Sequence, residues 1–205
     1  MLKKISIAIF WLAFFSFFLY KLIPKYTYLT NDTLKHWGSN SIFDNSVFAM
    51  HIFAGIIVYC TAILQFTPAI RNKYISFHRA TGKLYIIASL ICITTLYIMI
   101  PRTWCIGCRP SQLTVTSLWL LFVVLAFYFI KQRKIKLHKR MMICSFICAA
   151  YFVTVRVIDA YAMDIFYALF PNKTTAYLAS DVFVWLVPLL LFNIYWFIND
   201  KKQRV

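Results

Sequence analysis

The chain has no glutamate, and all six of its acidic residues are aspartates. Glycine (4) and proline (6) are scarce among its 205 residues. No low-complexity run occurs, and no polar stretch is long enough to form a soluble domain. From these absences a single membrane domain over residues 1–205, with no appended soluble module, is expected. Motifs of soluble chemistry are missing too: no Walker A loop, no Rossmann glycine pattern, no G-x-S-x-G elbow and no H-E-x-x-H zinc motif.

What is present is apolar. Hydrophobic residues make up 62% of the chain, and the mean hydropathy is +0.72. A soluble domain of this length is nearer half apolar, so a bilayer must cover the excess. The net charge of +16 is placed in short clusters between apolar runs, as topogenic signals are. That placement argues against nucleic acid as a partner and for the lipid bilayer.

Apolar runs fall at 5–22, 47–67, 80–100, 112–130, 141–163 and 182–198. Each has roughly the 17–25 residues that a helix needs to cross the hydrocarbon. They do not alternate in polarity, which excludes a membrane β-barrel. Pro24, Pro68, Pro101, Pro110 and Pro171 separate the runs, and Pro188 inside the last one predicts a kink. The expected fold is all-α: a polytopic bundle of six transmembrane helices with a four-helix core at 47–163. The first run follows Lys3 and Lys4 and continues into Tyr20-Lys21-Leu22-Ile23-Pro24 without a small-x-small cleavage site. It is expected to be an uncleaved signal anchor.

Charge sets the orientation. With the N-terminus inside, the inner segments hold fifteen basic residues and the outer ones six, with Arg156 inside a helix. Both ends are therefore expected in the cytoplasm. Trp37, Trp104 and Trp119 fall near the expected outer interfaces, and Tyr195 and Trp196 near the inner one.

An ionisable residue within a membrane is costly without a partner, which makes it a functional candidate. His78-Arg79 and His138-Lys139 each open a helix on the inner side. A helix N-terminus disfavours imidazolium and keeps a neutral ring available. Two such rings can ligate a haem iron axially; the bland reading is histidines among lysines touching phospholipid headgroups. His51 lies in an apolar frame near the outer end of its helix, at a depth similar to Arg156 and Asp159. The latter two are spaced i, i+3 and share a face. A buried Arg156–Asp159 pair with His51 nearby is either a satisfied packing network or part of a ligand or quinone site.

Further inner-side features accompany the histidines. Gln65-Phe66-Thr67-Pro68 ends one helix, Arg71 follows, and His78-Arg79-x-x-Gly82-x-x-Tyr85 opens the next. His78, Gly82 and Tyr85 recur along one face, where a glycine admits a neighbouring helix or a flat ligand. Cys60, Cys92, Cys144 and Cys148 lie within helices and read as small hydrophobes. Cys105 and Cys108 form a C-x-x-C in an outer loop, open to three readings: structural disulfide, redox-active dithiol, or metal site or free thiols.

The pattern Leu64-Gln65-Phe66-x-Pro68-x-x-Arg71, His78-Arg79-x-x-Gly82-x-x-Tyr85 and His138-x-x-Met141-Met142, with Arg156 downstream, resembles a bacterial family of multi-pass inner-membrane proteins described as a domain of unknown function. The resemblance covers about residues 45–160 and implies a bacterial plasma-membrane location. The family's layout is similar to the four-helix core of ascorbate-reducible-type diheme transmembrane cytochromes b, which implies histidines holding b-type haem. This chain departs from that pattern, because the run 112–130 has no histidine. At most one bis-histidine haem, His78 with His138, fits the sequence.

Three functions follow. The first is a membrane redox protein that binds b-type haem or quinone through His78 and His138, with Arg71, Arg79, Gly82, Tyr85 and His51 around them. The second is a non-enzymatic transporter or scaffold whose His, Arg and Asp residues hold the bundle together. The third is a thiol–disulfide protein using Cys105 and Cys108.

Overall fold

The computed structural model describes Ser16, residues 42–103 and residues 105–202. Apart from Ser16, the expected helix at 5–22 lies outside the described residues, as do Trp37 and Trp104. Among the described residues all regular structure is helical. The helices are α1 (Ile42–Phe66), α2 (Pro68–Lys73), α3 (Ile75–Met99), α4 (Arg109–Lys131), α5 (Ile135–Tyr161), α6 (Met163–Leu169) and α7 (Lys173–Lys202). Two 3-10 turns, Ile100–Arg102 and Ile106–Cys108, connect α3 to α4.

Five of these segments are long and apolar enough to cross a membrane: Ile42–Phe66, Ile75–Arg102, Ile106–Lys131, Ile135–Tyr161 and Lys173–Asp200. They coincide with the apolar runs from 47 onward, but most extend well beyond them. The hydrocarbon, about 30 Å thick, limits an apolar run and not a helix. The 30 residues of α7 rise about 45 Å at roughly 1.5 Å per residue, so polar turns continue the helix into the headgroup zone. The run 141–163 is corrected at its end: α5 stops at Tyr161, and Met163 opens the separate helix α6. α7 is continuous through Pro188.

Local chemistry sets the breaks. Pro68 occupies the first turn of α2 after Thr67, where its missing N–H has no helical partner to lose. The turn from α4 to α5 is closed by two bonds, Arg133 N–H to Ile130 O (3.0 Å) and Lys134 N–H to Phe129 O (2.9 Å). This is a Schellman closure. It places Arg133 at φ 58°, a region that suits glycine.

The chain divides into two compact units, Met1–Cys92 and Ile93–Val205. In the first, Gln65 reaches His78 and Thr81, while Cys92 reaches His51. The end of one helix thus meets the start of the other, so α1 and α3 run antiparallel. Ala54, Val58, Ala62, Tyr85 and Ala88 are buried in this unit.

In the second unit, α4 and α5 form a hairpin in which Trp119 meets Phe152 (6.1 Å between ring centroids). α7 packs antiparallel to α5. Its end pairs Asp200 with Lys136, its middle joins Asn193 to Arg140, and its first half joins Asp181 to Tyr151. Large apolar side chains such as Leu121, Val124, Phe127, Leu191 and Phe197 are left exposed. In a membrane protein, lipid covers that surface.

Candidate functional site

Among the sequence-expected residues of the first unit, His78 is the fourth residue of α3, and its N–H bonds to Tyr74 O (2.9 Å). Its carbonyl accepts the Gln65 amide (2.9 Å), whose second N–H goes to Thr81 Oγ1 (2.6 Å). The glycine at 82 makes room for this amide, since a Cβ there would lie 3.2 Å from Gln65 Oε1. Tyr85 is wholly buried, Arg79 is exposed, and Arg71 is partly exposed beside Asn72. His51 is partly buried, and its carbonyl accepts the Cys92 thiol (3.7 Å).

His138 belongs to the second unit and is likewise the fourth residue of its helix, with its N–H on Lys134 O (3.0 Å). Its ring Nδ1 lies 2.8 Å from Ala126 O. A carbonyl can only accept, so Nδ1 carries the proton, and in the neutral ring Nε2 keeps its lone pair.

Arg156 and Asp159 form an i, i+3 pair at 3.8 Å, with side chains 60% and 25% exposed. The expectation of a buried pair is corrected: one turn from the end of α5, Arg156 points out of the bundle. Cys105 and Cys108 are joined as a disulfide, and both are buried. Gly107 between them lies against the first turn of α7, where a Cβ would come within 2.7 Å of Thr174 Cγ2.

Among the described residues of the second unit, the buried acidic side chain is one that the apolar runs hide. Asp181 is 3% exposed, and Tyr151, Ser111 and Trp185 around it are also buried. Tyr151 donates to Asp181 Oδ1 (2.6 Å), and the Trp185 indole donates to Ser111 Oγ (3.0 Å). The other carboxylate oxygen, Oδ2, is buried and has no hydrogen-bond partner among the described residues. An ionised carboxylate only accepts. Three helices therefore enclose it: α5 brings Tyr151, the donor on the carboxylate, while α4 and α7 meet beside it through Ser111 and Trp185.

Asp181 sits immediately before the apolar run 182–198 and was not among the sequence candidates. α7 begins eight residues earlier, at Lys173, which sets Asp181 about 12 Å inside the helix at roughly 1.5 Å per residue. The signal that could have found it is the spacing Tyr177, Asp181, Trp185, which repeats at i, i+4 along one face.

At the opposite end of α7, Asn193 accepts both Nε (3.1 Å) and Nη2 (2.7 Å) of Arg140, and its own amide donates to Leu189 O (2.8 Å). Asp200 pairs with Lys136. Among the described residues no group of three or more His, Cys, Asp or Glu side chains is arranged to hold a metal ion.

The family described as "Predicted membrane protein (DUF2306)" matches residues 48–196, which is most of the chain. Comparison with curated proteins finds no match, and comparison with solved structures finds none.

Proposed function

Because the chain belongs to the DUF2306 family of predicted membrane proteins, we propose that it is a small non-enzymatic transporter whose working group is Asp181. One observation carries this reading: a carboxylate 3% exposed lies within a helix long and apolar enough to span a membrane. Such a group is expensive to keep in a bilayer and marks ion or proton pathways. The Tyr151 hydroxyl on Asp181 is able to donate to the carboxylate or to accept from the carboxylic acid. The same cluster thus serves both protonation states, and Asp181 binds and releases one proton in each cycle.

The reading includes six spans with both ends in the cytoplasm of a bacterial plasma membrane, supported by the apolar run at 5–22 and the fifteen-to-six division of basic residues. The test is proton flux. Protein reconstituted in liposomes with an interior pH dye is expected to acidify the lumen under an imposed potential, and Asp181→Asn is expected to abolish the signal. Flux that is absent in the wild type, or equal in both, leaves the cluster a packing device and sinks the proposal.

A second reading rests on His138. Histidine ligands of metals commonly hold their second ring nitrogen on a backbone carbonyl, as Nδ1 is held on Ala126 here. Nε2 of His138 is then the nitrogen that would ligate a b-type haem iron or accept from a quinol hydroxyl. Bound haem would supply one-electron transfer. A dithionite-reduced minus oxidised spectrum with a b-type band that His138→Ala removes supports it. A featureless spectrum after haem-sufficient expression leaves only the quinone form.

A further inference from the structure

The turn between α4 and α5 concentrates charge of one sign. Lys131, Arg133, Lys134, Lys136, Lys139 and Arg140 fall within ten residues that contain no acid. Two of the six are drawn back onto α7, Lys136 to Asp200 and Arg140 to Asn193. The other four are exposed, and of these Lys131 lies over the Phe127 ring (5.4 Å).

The backbone adds to the charge. The turn leads into the N-terminus of α5, the positive end of its dipole, where acidic residues are favoured and basic ones oppose the field. The first turn of α5 has no acidic residue, and Lys134 before it provides no side-chain cap. The Schellman closure, with Arg133 at φ 58°, fixes the turn in this geometry. A positive helix end surrounded by four exposed cations repels itself unless an anion sits there.

We infer that the α4–α5 turn binds the phosphate of an anionic phospholipid. The turn joins two membrane spans, so it lies at a bilayer surface where the available anion is a lipid headgroup. The exposed Arg133, Lys134 and Lys139 supply the cations, and the positive end of the α5 dipole adds to them. Exposed Tyr128, Ile130 and Ile135 flank the turn and supply contact for the upper acyl chain. This site does not depend on Asp181 carrying protons.

The experiment uses the full chain in nanodiscs of phosphatidylcholine with a minor fraction of phosphatidylglycerol. Retained lipid is counted by mass spectrometry after delipidation. The wild type is expected to retain phosphatidylglycerol selectively and to lose it at high salt. The triple variant Arg133→Gln, Lys134→Gln, Lys139→Gln is expected to bind roughly a hundredfold more weakly, at about fivefold per cation removed. Lys173→Gln, at the other end of the unit, should bind as the wild type does. No preference over phosphatidylcholine overturns the inference, as does equal retention by the triple variant. Displacement by inorganic phosphate at constant ionic strength also overturns it, since the site would then take a free anion. If the triple variant fails to fold, the wild type's own lipid preference and salt dependence decide.

Discussion

The Tyr151 hydroxyl donates a 2.6 Å hydrogen bond to Asp181 Oδ1, joining α5 to α7. Both residues are buried, and a hydrogen bond to an ionised group is short and strong where water is excluded. Tyr151→Phe removes the donor and keeps the ring that packs on Phe152 (4.7 Å between centroids). The expected loss is about 1.5–3 kcal/mol of stability, read as a lower unfolding midpoint in detergent. Combined with Asp181→Asn, its cost should shrink, because the two side chains share one interaction. Additive costs would show that they act separately.

Arg133 stands at φ 58° at the Schellman position, where a side chain costs about 1–2 kcal/mol relative to glycine. Arg133→Gly is expected to raise stability by about 1 kcal/mol, measured by thermal unfolding. A decrease would mean that the arginine side chain contributes more than its backbone conformation costs.

Gly107 meets Thr174 so closely that a Cβ would fall 2.7 Å from Thr174 Cγ2. Gly107→Ala is expected to cost about 1–3 kcal/mol by overpacking. Thr174→Ser deletes the opposing methyl, and the double variant should recover most of the loss. Failure to recover would assign the cost to the backbone between Cys105 and Cys108.

In the first unit, Gln65 satisfies His78 O and Thr81 Oγ1 with one amide. Gln65→Leu is expected to cost about 1–3 kcal/mol by leaving the buried amide's partners without it. Gly82→Ala, with its new Cβ 3.2 Å from Gln65 Oε1, should cost less in a Gln65→Ala background than in the wild type. Equal costs in both would place the strain elsewhere.

Helix existence was legible because a long apolar run has one stable form in lipid: a helix, whose backbone groups satisfy each other. The same logic anticipated the five segments long and apolar enough to cross a membrane: Ile42–Phe66, Ile75–Arg102, Ile106–Lys131, Ile135–Tyr161 and Lys173–Asp200. The placement of His78 and His138 at helix starts was legible for a related reason, since a histidine at the start of an apolar run is visible by position. The disulfide was one of three readings of Cys105 and Cys108, and proximity in the folded loop selected it.

Partnership was not legible. Asp181 was not a candidate, because it lies just before the run 182–198 and hydropathy reports where the lipid begins and not where a helix begins. Tyr151, thirty residues earlier, is one aromatic among many until antiparallel packing of α5 and α7 brings its hydroxyl to that carboxylate. Arg156 and Asp159 shared a face in the sequence, yet only packing decided that Arg156 points outward. The sequence by itself determined a helical membrane protein and the apolar helices from residue 42 onward, because solvation of apolar surface acts locally along the chain. Tertiary structure alone decided which polar groups meet, because that depends on how helices far apart in sequence turn their faces toward one another.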